Sequence, residues 1–575
     1  MRLVQLSANQ ATFKTVKFNK RGLTIVVGAR SKTGQTYNGV GKSLIVELLH
    51  FCLGSSGNTE FESKIPGWEF TLEFELLGKT HSATRGTSEQ DVVYLDHDRK
   101  KLSEYTTWLE SRAFTIPPDV GNLSFRSLVP RFIRRGLQDY IDPRNPSDRT
   151  EYETLLRSAF LLGIEVRLIA NKAALRKELV KVTGLKKNFK KDDLLRDFYS
   201  GGKDADLRLT HLDRQIAELD AARTGFVVAQ NYYELQRSAD SLAAEIENDK
   251  NGIFLTQIAI TNIERSMLEG PDVPMERVAN LYSEIAAAFR PETLRRLEDV
   301  AAFHTQLLKN RREKSQLGEK LARSARTLTA KQHRLDSLLR TLGQATALDQ
   351  YTAVVNQIAA LRAEGQKLRD YKAIQLEYSN RAADLEGQLI ADIKRTNTYL
   401  VESKENREQS FQLFNQLVAR FYPKAPAGIT LVNDEGDNLT RFHLNVRIEN
   451  DSSDGVNEVR IFCYDLALLI LQHHHTVGFL VHDSRLFANM DVRQRATLFR
   501  TAQQKCAEHG LQYIATLNPD AISGMDASLA PGIDGLLTPG ELKTIISDNV
   551  VLELKDNSPS GKLLGIQVDM RYDQK

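Results

Sequence analysis

The run Leu23-Thr24-Ile25-Val26-Val27, followed by Thr36-Tyr37-Asn38-Gly39-Val40-Gly41-Lys42-Ser43 and then Leu44-Ile45-Val46-Glu47-Leu48-Leu49, decides how this chain is read. A β-branched apolar run, a glycine loop, a Lys-Ser pair and an apolar-periodic run give the strand–loop–helix order of a phosphate-binding P-loop. Gly39 and Gly41 let backbone N–H groups turn inward around phosphates. Lys42 supplies a point charge for the β- and γ-phosphates, and the Ser43 hydroxyl is placed to ligate Mg²⁺. Asn38, Val40 and Leu44 complete the predicted binding segment. Thr36 stands where the usual pattern begins with glycine. An ordinary glycine turn is the alternative, and the flanking strand and helix weigh against it. The pattern predicts a nucleotide, ATP or GTP, with ATP and Mg²⁺ as the expected cofactors.

The totals bound the rest. The chain has 575 residues, with 77 Lys plus Arg against 74 Asp plus Glu, a formal charge of +3. That length allows several domains and a substantial core. The near-balance excludes a wholly basic nucleic-acid coat and leaves room for local basic patches. Cys52, Cys463 and Cys506 are far apart and form no C-x-x-C pair. They read as buried small apolar residues, not as a disulfide frame or zinc site. The N-terminus carries no signal-peptide pattern. The longest apolar candidate, Leu466 to Val481, is broken by Gln472 and His473-His474-His475, so no membrane span is expected. A cytoplasmic, soluble protein is the expectation. Three consecutive histidines diverge on a helix and suit a helix end better than a metal triad.

Three regions differ in texture. Residues 1–165 read as half of an α/β domain, with strands at Leu3–Leu6, Phe13–Phe18, Leu23–Val27, Glu69–Leu76, His81–Arg85 and Val92–Leu95. Glu69–Leu76 alternates with period two, as a half-buried strand does. Residues 166–424 are charged, rich in Ala and Leu, and poor in proline. Leu209, Leu212, Ile216 and Leu219 repeat at three-four spacing, as do Leu317, Leu321, Leu328, Leu335 and Leu338, and Tyr351, Val355, Ile358 and Leu361. An apolar seam with charged flanks predicts coiled-coil or long helices, with a helical bundle as the alternative. Turns are expected at Gly201-Gly202, 270–274 and Gly343. Residues 425–575 return to α/β texture. Phe442–Ile448, Gly478–Val481 and Gln512–Thr516 read as strands and Val459–Leu471 as a buried helix. Val550–Leu554 and Leu564–Val568 read as a terminal hairpin.

The order of these regions implies a split site. If the helical segment doubles back, the last region completes the first and must supply a carboxylate for Mg²⁺. Gly478-Phe479-Leu480-Val481-His482-Asp483 is an apolar strand ending in an acid, the Walker B arrangement. Asp483 is the predicted second Mg²⁺ ligand; a structural Asp capping a buried strand is the alternative.

In these features the chain resembles the SMC, RecN and RecF class of ABC-type ATPases, whose heads are split by a coiled coil. The likeness runs over nearly all of the sequence. Phe303-His304, Asn310-Arg311, Val481-His482-Asp483-Ser484 and Leu554-Lys555-Asp556 are similar to an uncharacterised bacterial SMC-like ATPase family. Its members occur in three-component systems implicated in defence against phage and plasmids. The resemblance implies an ABC-type α/β head, dimerisation through heads, engagement of DNA, and accessory or effector proteins as partners. It also implies a signature loop contacting the γ-phosphate of a second subunit. Ser452-Ser453-Asp454-Gly455-Val456-Asn457 stands in the right place, with Ser453 and Gly455 at the matching positions; a capped surface loop is the alternative. Asn489-Met490-Asp491 resembles the D-loop.

Three departures predict slow or absent hydrolysis. Ser484 occupies the position of the water-activating glutamate, and a serine is no comparable base near neutral pH. Asn518 follows the strand where the class has a switch histidine; it is a candidate to orient water or sense the γ-phosphate. Arg135 stands at the Q-loop glutamine, within the basic group Arg131, Arg134 and Arg135. His482 is a candidate substitute base. Lys172, Arg176, Lys177, Lys181, Lys186, Lys187, Lys190 and Lys191 form a candidate non-specific DNA surface, with a solvated helix face as the alternative. Two further functions stay open: a non-hydrolysing nucleotide-sensing scaffold that recruits an effector, and a RecN- or RecF-like repair ATPase.

Overall fold

The computed structural model describes residues 1–29, 39–146, 148–191, 205–224, 230–268, 291–342, 347–449, 453–518, 521 and 539–568. Its first part runs β1 (Arg2–Ala8), β2 (Val16–Lys17), β3 (Gly22–Ala29), α1 (Lys42–Cys52), α2 (Thr59–Lys64), β4 (Glu69–Leu76), β5 (Lys79–Gly86), β6 (Val92–Leu95), β7 (Asp98–Lys101), α3 (Leu102–Ala113), α4 (Phe125–Leu128) and α5 (Glu151–Leu161). Long helices follow: α6 (Val166–Lys191), α7 (Ala205–Thr224), α8 (Gln230–Leu268), α9 (Pro291–Leu342) and α10 (Ala347–Glu402). The last part is α11 (Lys404–Ala419), β8 (Ala427–Asn433), β9 (Phe442–Ile448), α12 (Asp454–Leu471), β10 (Phe479–His482), α13 (Val492–His509), β11 (Gln512–Leu517), α14 (Pro539–Asn549) and β12 (Val550–Lys555). Two compact units result: Met1–Arg176 with Leu389–Lys575, and Lys177–Ser283 with Pro291–Gln388.

The first unit, the head, is built from both ends of the chain. Its parallel sheet has the order β10-β11-β3-β12. Ile514 pairs with Thr24 and Leu554 with Gly28, so both neighbours of β3 come from the far end of the sequence. Such a sheet forms only when the helical insertion returns the chain to its start. The fold is an α/β head split by a helical insertion, as the sequence predicts. Every residue of β10 and β11 is buried, which explains their unbroken apolar runs: a parallel sheet is covered on both faces. A second, antiparallel sheet has the order β2-β1-β4-β5-β6-β7, and β4 buries alternate residues. Helix α1 touches β3 and β11 on one side and β4 and β5 on the other. It is therefore buried nearly all round, from Leu44 to Cys52.

Local features differ from the sequence reading: the strand expected at Phe13–Phe18 is only Val16–Lys17, and β8 was not foreseen. The terminal hairpin is not formed. β12 runs parallel to β3 instead and buries Leu554. Leu563, past the turn, donates to the Val40 carbonyl at 3.0 Å and accepts from Lys14 N at 2.9 Å. The open edge of β3 offered a ladder and a buried side-chain slot that a solvent-exposed hairpin lacks. Strand β7 was missed because its turn is Asp96-His97, both at positive φ, without the glycine that usually marks such a hairpin.

In the second unit the helices pair antiparallel. Lys331 reaches Glu245 and Asp249 at 3.1 and 2.7 Å, and Lys314 reaches Glu264 at 2.8 Å, which aligns α9 against α8. Arg369–Asp213 and Arg362–Asp220, at 2.7 and 2.6 Å, align α10 against α7. Leu212, Tyr351, Val355 and Ile358 of the predicted seams are buried. The expected turns at Gly201-Gly202, 270–274 and Gly343 lie outside the described residues.

Candidate functional site

All four strands of the parallel sheet end on one edge, where ligands of open α/β sheets bind. The glycine loop follows β3, Asp483 follows β10 and Asn518 follows β11. Asn38 lies outside the described residues. Gly39 and Gly41 have φ of +72° and +107°, a backbone that L side chains rarely adopt. Gly41 is the N-cap of α1, has no capping side chain, and is followed by a first turn without acids. The leading N–H groups of that turn have no intrahelical acceptor and carry the positive end of the helix dipole. Lys42 is buried against the end of β3: a Cβ on Gly28 would stand 2.6 Å from its Nζ. Burial lowers the ammonium to about 8. Ser43 is half-buried, Val40 and Leu44 are buried.

Asp483 is buried, and burial raises its carboxyl to about 6. Its Oδ1 accepts from Arg485 N at 3.0 Å, capping a short 3₁₀ turn over Ser484–Phe487, and its own N–H donates to the Tyr140 hydroxyl at 3.1 Å. The Arg485 guanidinium stands 3.7 Å away. Ser484, half-buried, begins that turn. Asn518 is half-buried, and its enclosed Oδ1 has no hydrogen-bond partner among the described residues.

His482 does not face this edge. Its Nε2 lies 3.0 Å from Asp465 Oδ2 and its Nδ1 3.0 Å from the Tyr513 hydroxyl. A carboxylate only accepts, so Nε2 carries the proton and Nδ1 accepts from Tyr513. The ring is fully buried, and burial lowers its pKa. Both nitrogens are occupied in the core, which leaves no lone pair for a water at the sheet edge. Asp465 also receives Arg134 through two hydrogen bonds of 2.5 and 2.7 Å. Phe132–Arg134 runs beside β10, bridging at Ile133 and Val481.

The arginine group is thus corrected. The notion that this basic group serves a phosphate does not suit Arg131 and Arg134, which are fully buried in ion pairs with Asp148 and Asp465. Arg135 pairs with Glu47 of α1 at 2.9 Å.

Ser452 lies outside the described residues. Ser453 is exposed at the N-cap of α12, and its hydroxyl makes no capping hydrogen bond. Gly455 packs on Asn489: a Cβ there would stand 2.9 Å from the Asn489 carbonyl oxygen. Asp491 caps α13 reciprocally with Gln494.

The basic stretch is corrected in its first members. Lys172 is buried, with Nζ donating to the Asp434 carbonyl at 2.5 Å and to Asn438 Oδ1 at 3.3 Å. Arg176 pairs with Asp437 at 2.9 Å. The apolar packing of α6 on the head turns these two inward to the Asp434–Thr440 loop. Lys177, Lys181 and Lys187 are exposed and Lys186 is half-buried; the side chains of Lys190 and Lys191 lie outside the described residues. The three histidines diverge after the left-handed Gln472, with His473 against Ser410 and His475 against the Leu468 carbonyl.

Tyr140, Asp465 and Tyr513 were missed by the sequence reading. Asp465 left one signal, an acid inside the apolar run from Ile461 to Leu471. The hydroxyls left none. Among the described residues no helix is long and apolar enough to cross a membrane, and no group of three His, Cys, Asp or Glu could hold a metal.

Residues 417–568 match the family described as an uncharacterised protein conserved in bacteria (DUF2326). The uncharacterized protein YydD of Bacillus subtilis is 20% identical over 559 residues, covering 89% of this chain and 92% of its own. Among solved structures, the chain is similar to the Smc head domain with a coiled coil and joint of Pyrococcus yayanosii. That match has 15% identity and a TM-score of 0.37, over 95% of this chain and 99% of that one. It is also similar to the Smc head domain with an extended coiled coil, bound to the C-terminal domain of ScpA, of Pyrococcus furiosus. There the identity is 12% and the TM-score 0.32, again over 95% and 99%.

Proposed function

We propose that the head binds ATP with Mg²⁺ and pairs with a second copy on it, engaging DNA or partner proteins. The observation that carries the reading is the combination at one sheet edge of an uncapped helix N-terminus, a buried lysine and a buried carboxylate. Lys42 and the N–H groups after Gly41 would hold the phosphates, with Ser43 and Asp483 as ligands of the cation. The residues fit that group. A buried ammonium lowered to about 8 and a buried carboxyl raised to about 6 each become less costly beside an opposite charge. Bound Mg²⁺ would supply charge neutralisation at the β- and γ-phosphates. Ser453 and Gly455 would meet the γ-phosphate of the second copy.

Hydrolysis is a separate matter. Ser484 offers no base, and His482 is locked in the core, which favours a slow ATPase or a non-hydrolysing sensor that recruits an effector. The resemblance to a defence-associated family supports a setting in defence against phage or plasmid DNA, and effector genes beside this one would favour it over a repair role.

Titration of a fluorescent ATP analogue tests the reading. Affinity should fall at least about a hundredfold in Lys42→Ala, the loss of a charged contact worth about 3 kcal/mol. It should also peak between about pH 6 and 8. Below that window Asp483 gains a proton, and above it Lys42 loses one. Equal affinity in wild type and Lys42→Ala refutes nucleotide binding at this loop. ATP bound without turnover, alone or with DNA, selects the sensor.

A further inference from the structure

Glu458 lies on the second turn of α12, five positions after Ser453, and its side chain is buried. Its carboxylate accepts from Asn489 twice over, from the backbone N–H at 3.1 Å and from Nδ2 at 3.0 Å. The Met490 N–H acts on it as well. One turn earlier Gly455 presses on the carbonyl of the same Asn489, with room for a hydrogen and no more. The turn at Ser453 and the segment Asn489–Asp491 are thus interlocked through both the N–H and the C=O of one residue. The chemistry of this contact is costly. Burial, with Asp454 nearby, raises the Glu458 carboxyl to about 7, whereas an apolar side chain of similar size would fill the space without desolvating a charge. Unlike Asp465 further along the helix, which Arg134 neutralises, Glu458 is a buried acid held by amide groups, a local rule broken at a site, where function is expected.

Asn489 follows Asp483 by six positions, through the 3₁₀ turn that Asp483 caps. Whatever fixes Asn489 therefore fixes the far end of the segment that begins at the carboxylate of the candidate site. We infer that Glu458 is a positioning residue, which locks the Ser453 turn to the Asn489–Asp491 segment so that both are presented as one rigid surface to a second copy of this chain. The inference rests on the reading that the second copy docks at Ser453.

The test uses the full chain and three variants, Glu458→Ala, Glu458→Gln and Lys42→Ala. Amide hydrogen exchange is followed across 488–491 in the free protein. Nucleotide affinity of the single copy and ATP-dependent pairing are followed by analogue titration and sedimentation. Glu458→Ala should speed exchange across the segment about tenfold or more, the loss of hydrogen bonds to a charged group. It should weaken pairing by a similar factor and leave single-copy affinity within about twofold. Glu458→Gln keeps one acceptor and should recover part of both effects. Faster exchange with unchanged pairing would reduce Glu458 to a structural role and overturn the inference. So would equal pairing loss in both Glu458 variants, because the rescue would be missing. If Lys42→Ala leaves nucleotide affinity intact, the nucleotide reading itself fails and this inference falls with it. Lost affinity in Lys42→Ala with normal pairing in Glu458→Ala overturns the inference alone.

Discussion

Replacing Asp483 with Asn should stabilise the protein while removing its use for a cation. The carboxyl is raised from 3.8 to about 6 by burial, and each tenfold change in proton affinity is about 1.4 kcal/mol between its two protonation states. A folded-state pKa above the unfolded one means that the folded protein binds more protons between those values, so stability falls as pH rises from about 4 to about 6. Above about 6 the whole penalty is present, on the order of 3 kcal/mol for a proton held roughly a hundredfold more tightly in the fold. An amide keeps the shape and can still accept from Arg485 N, but it carries no charge to desolvate. Both tryptophans, Trp68 and Trp108, lie in the head, so their fluorescence during urea titration reports that unit. With a chelator present, Asp483→Asn should exceed wild type by up to about 3 kcal/mol at pH 7.5. The advantage should shrink towards zero near pH 4, and Mg²⁺-dependent nucleotide affinity should drop in the same variant. Equal stability at pH 7.5, or an advantage that does not vary with pH, refutes the argument that this carboxylate is held against its own solvation.

Gly28→Ala brings a Cβ to 2.6 Å from Lys42 Nζ and 3.2 Å from its Cδ; moving the ammonium should weaken nucleotide binding about tenfold, some 1.4 kcal/mol, with the urea midpoint little changed. Lys172→Ala removes a buried partner of Asp434 and should cost the head on the order of 2–3 kcal/mol while leaving any DNA affinity as it was. Neutralising the exposed Lys181 and Lys187 should do the reverse, with stability retained and the salt dependence of DNA binding reduced by about two charges. A DNA affinity that follows Lys172 and ignores Lys181 and Lys187 would contradict the burial pattern of α6.

What the sequence reveals here follows from how each signal is written. The glycines before α1 and the Asp483 strand are legible because both sit at strand ends, where an apolar run stops at a loop or an acid within a few residues. The split fold is legible from the order of textures, α/β on either side of the helical 166–424. Interactions across the sequence are not. Nothing in Lys172-x-x-x-Arg176-Lys177 says that the first two turn towards 434–438 while the third faces water, because charge content is the same for a solvated face and a buried ion pair. The failed hairpin at 550–568 has a similar cause. Alternation and a turn specify a strand, but not whether its partner is the next strand or the distant β3.

His482 shows how one buried group can decide more than a visible motif. The residue before Asp483 belongs to a chain that runs Arg134, Asp465, His482 and Tyr513. These residues belong, in turn, to the segment beside β10, to α12, to β10 and to β11. Four elements that bound the candidate site therefore share one hydrogen-bonded network in a low-dielectric core, where removing a member strands its neighbours. The position before Asp483 thus carries a structural duty that a general base could not share. A base must exchange its proton with the sheet edge, and this imidazole has spent both nitrogens on Asp465 and Tyr513. With Ser484 next in line and Asn518 an amide, neither neighbour replaces His482 as a base for water. On the nucleotide reading proposed above, these residues would hold a charged ligand and signal its presence through packed elements, and they offer no base to turn it over quickly.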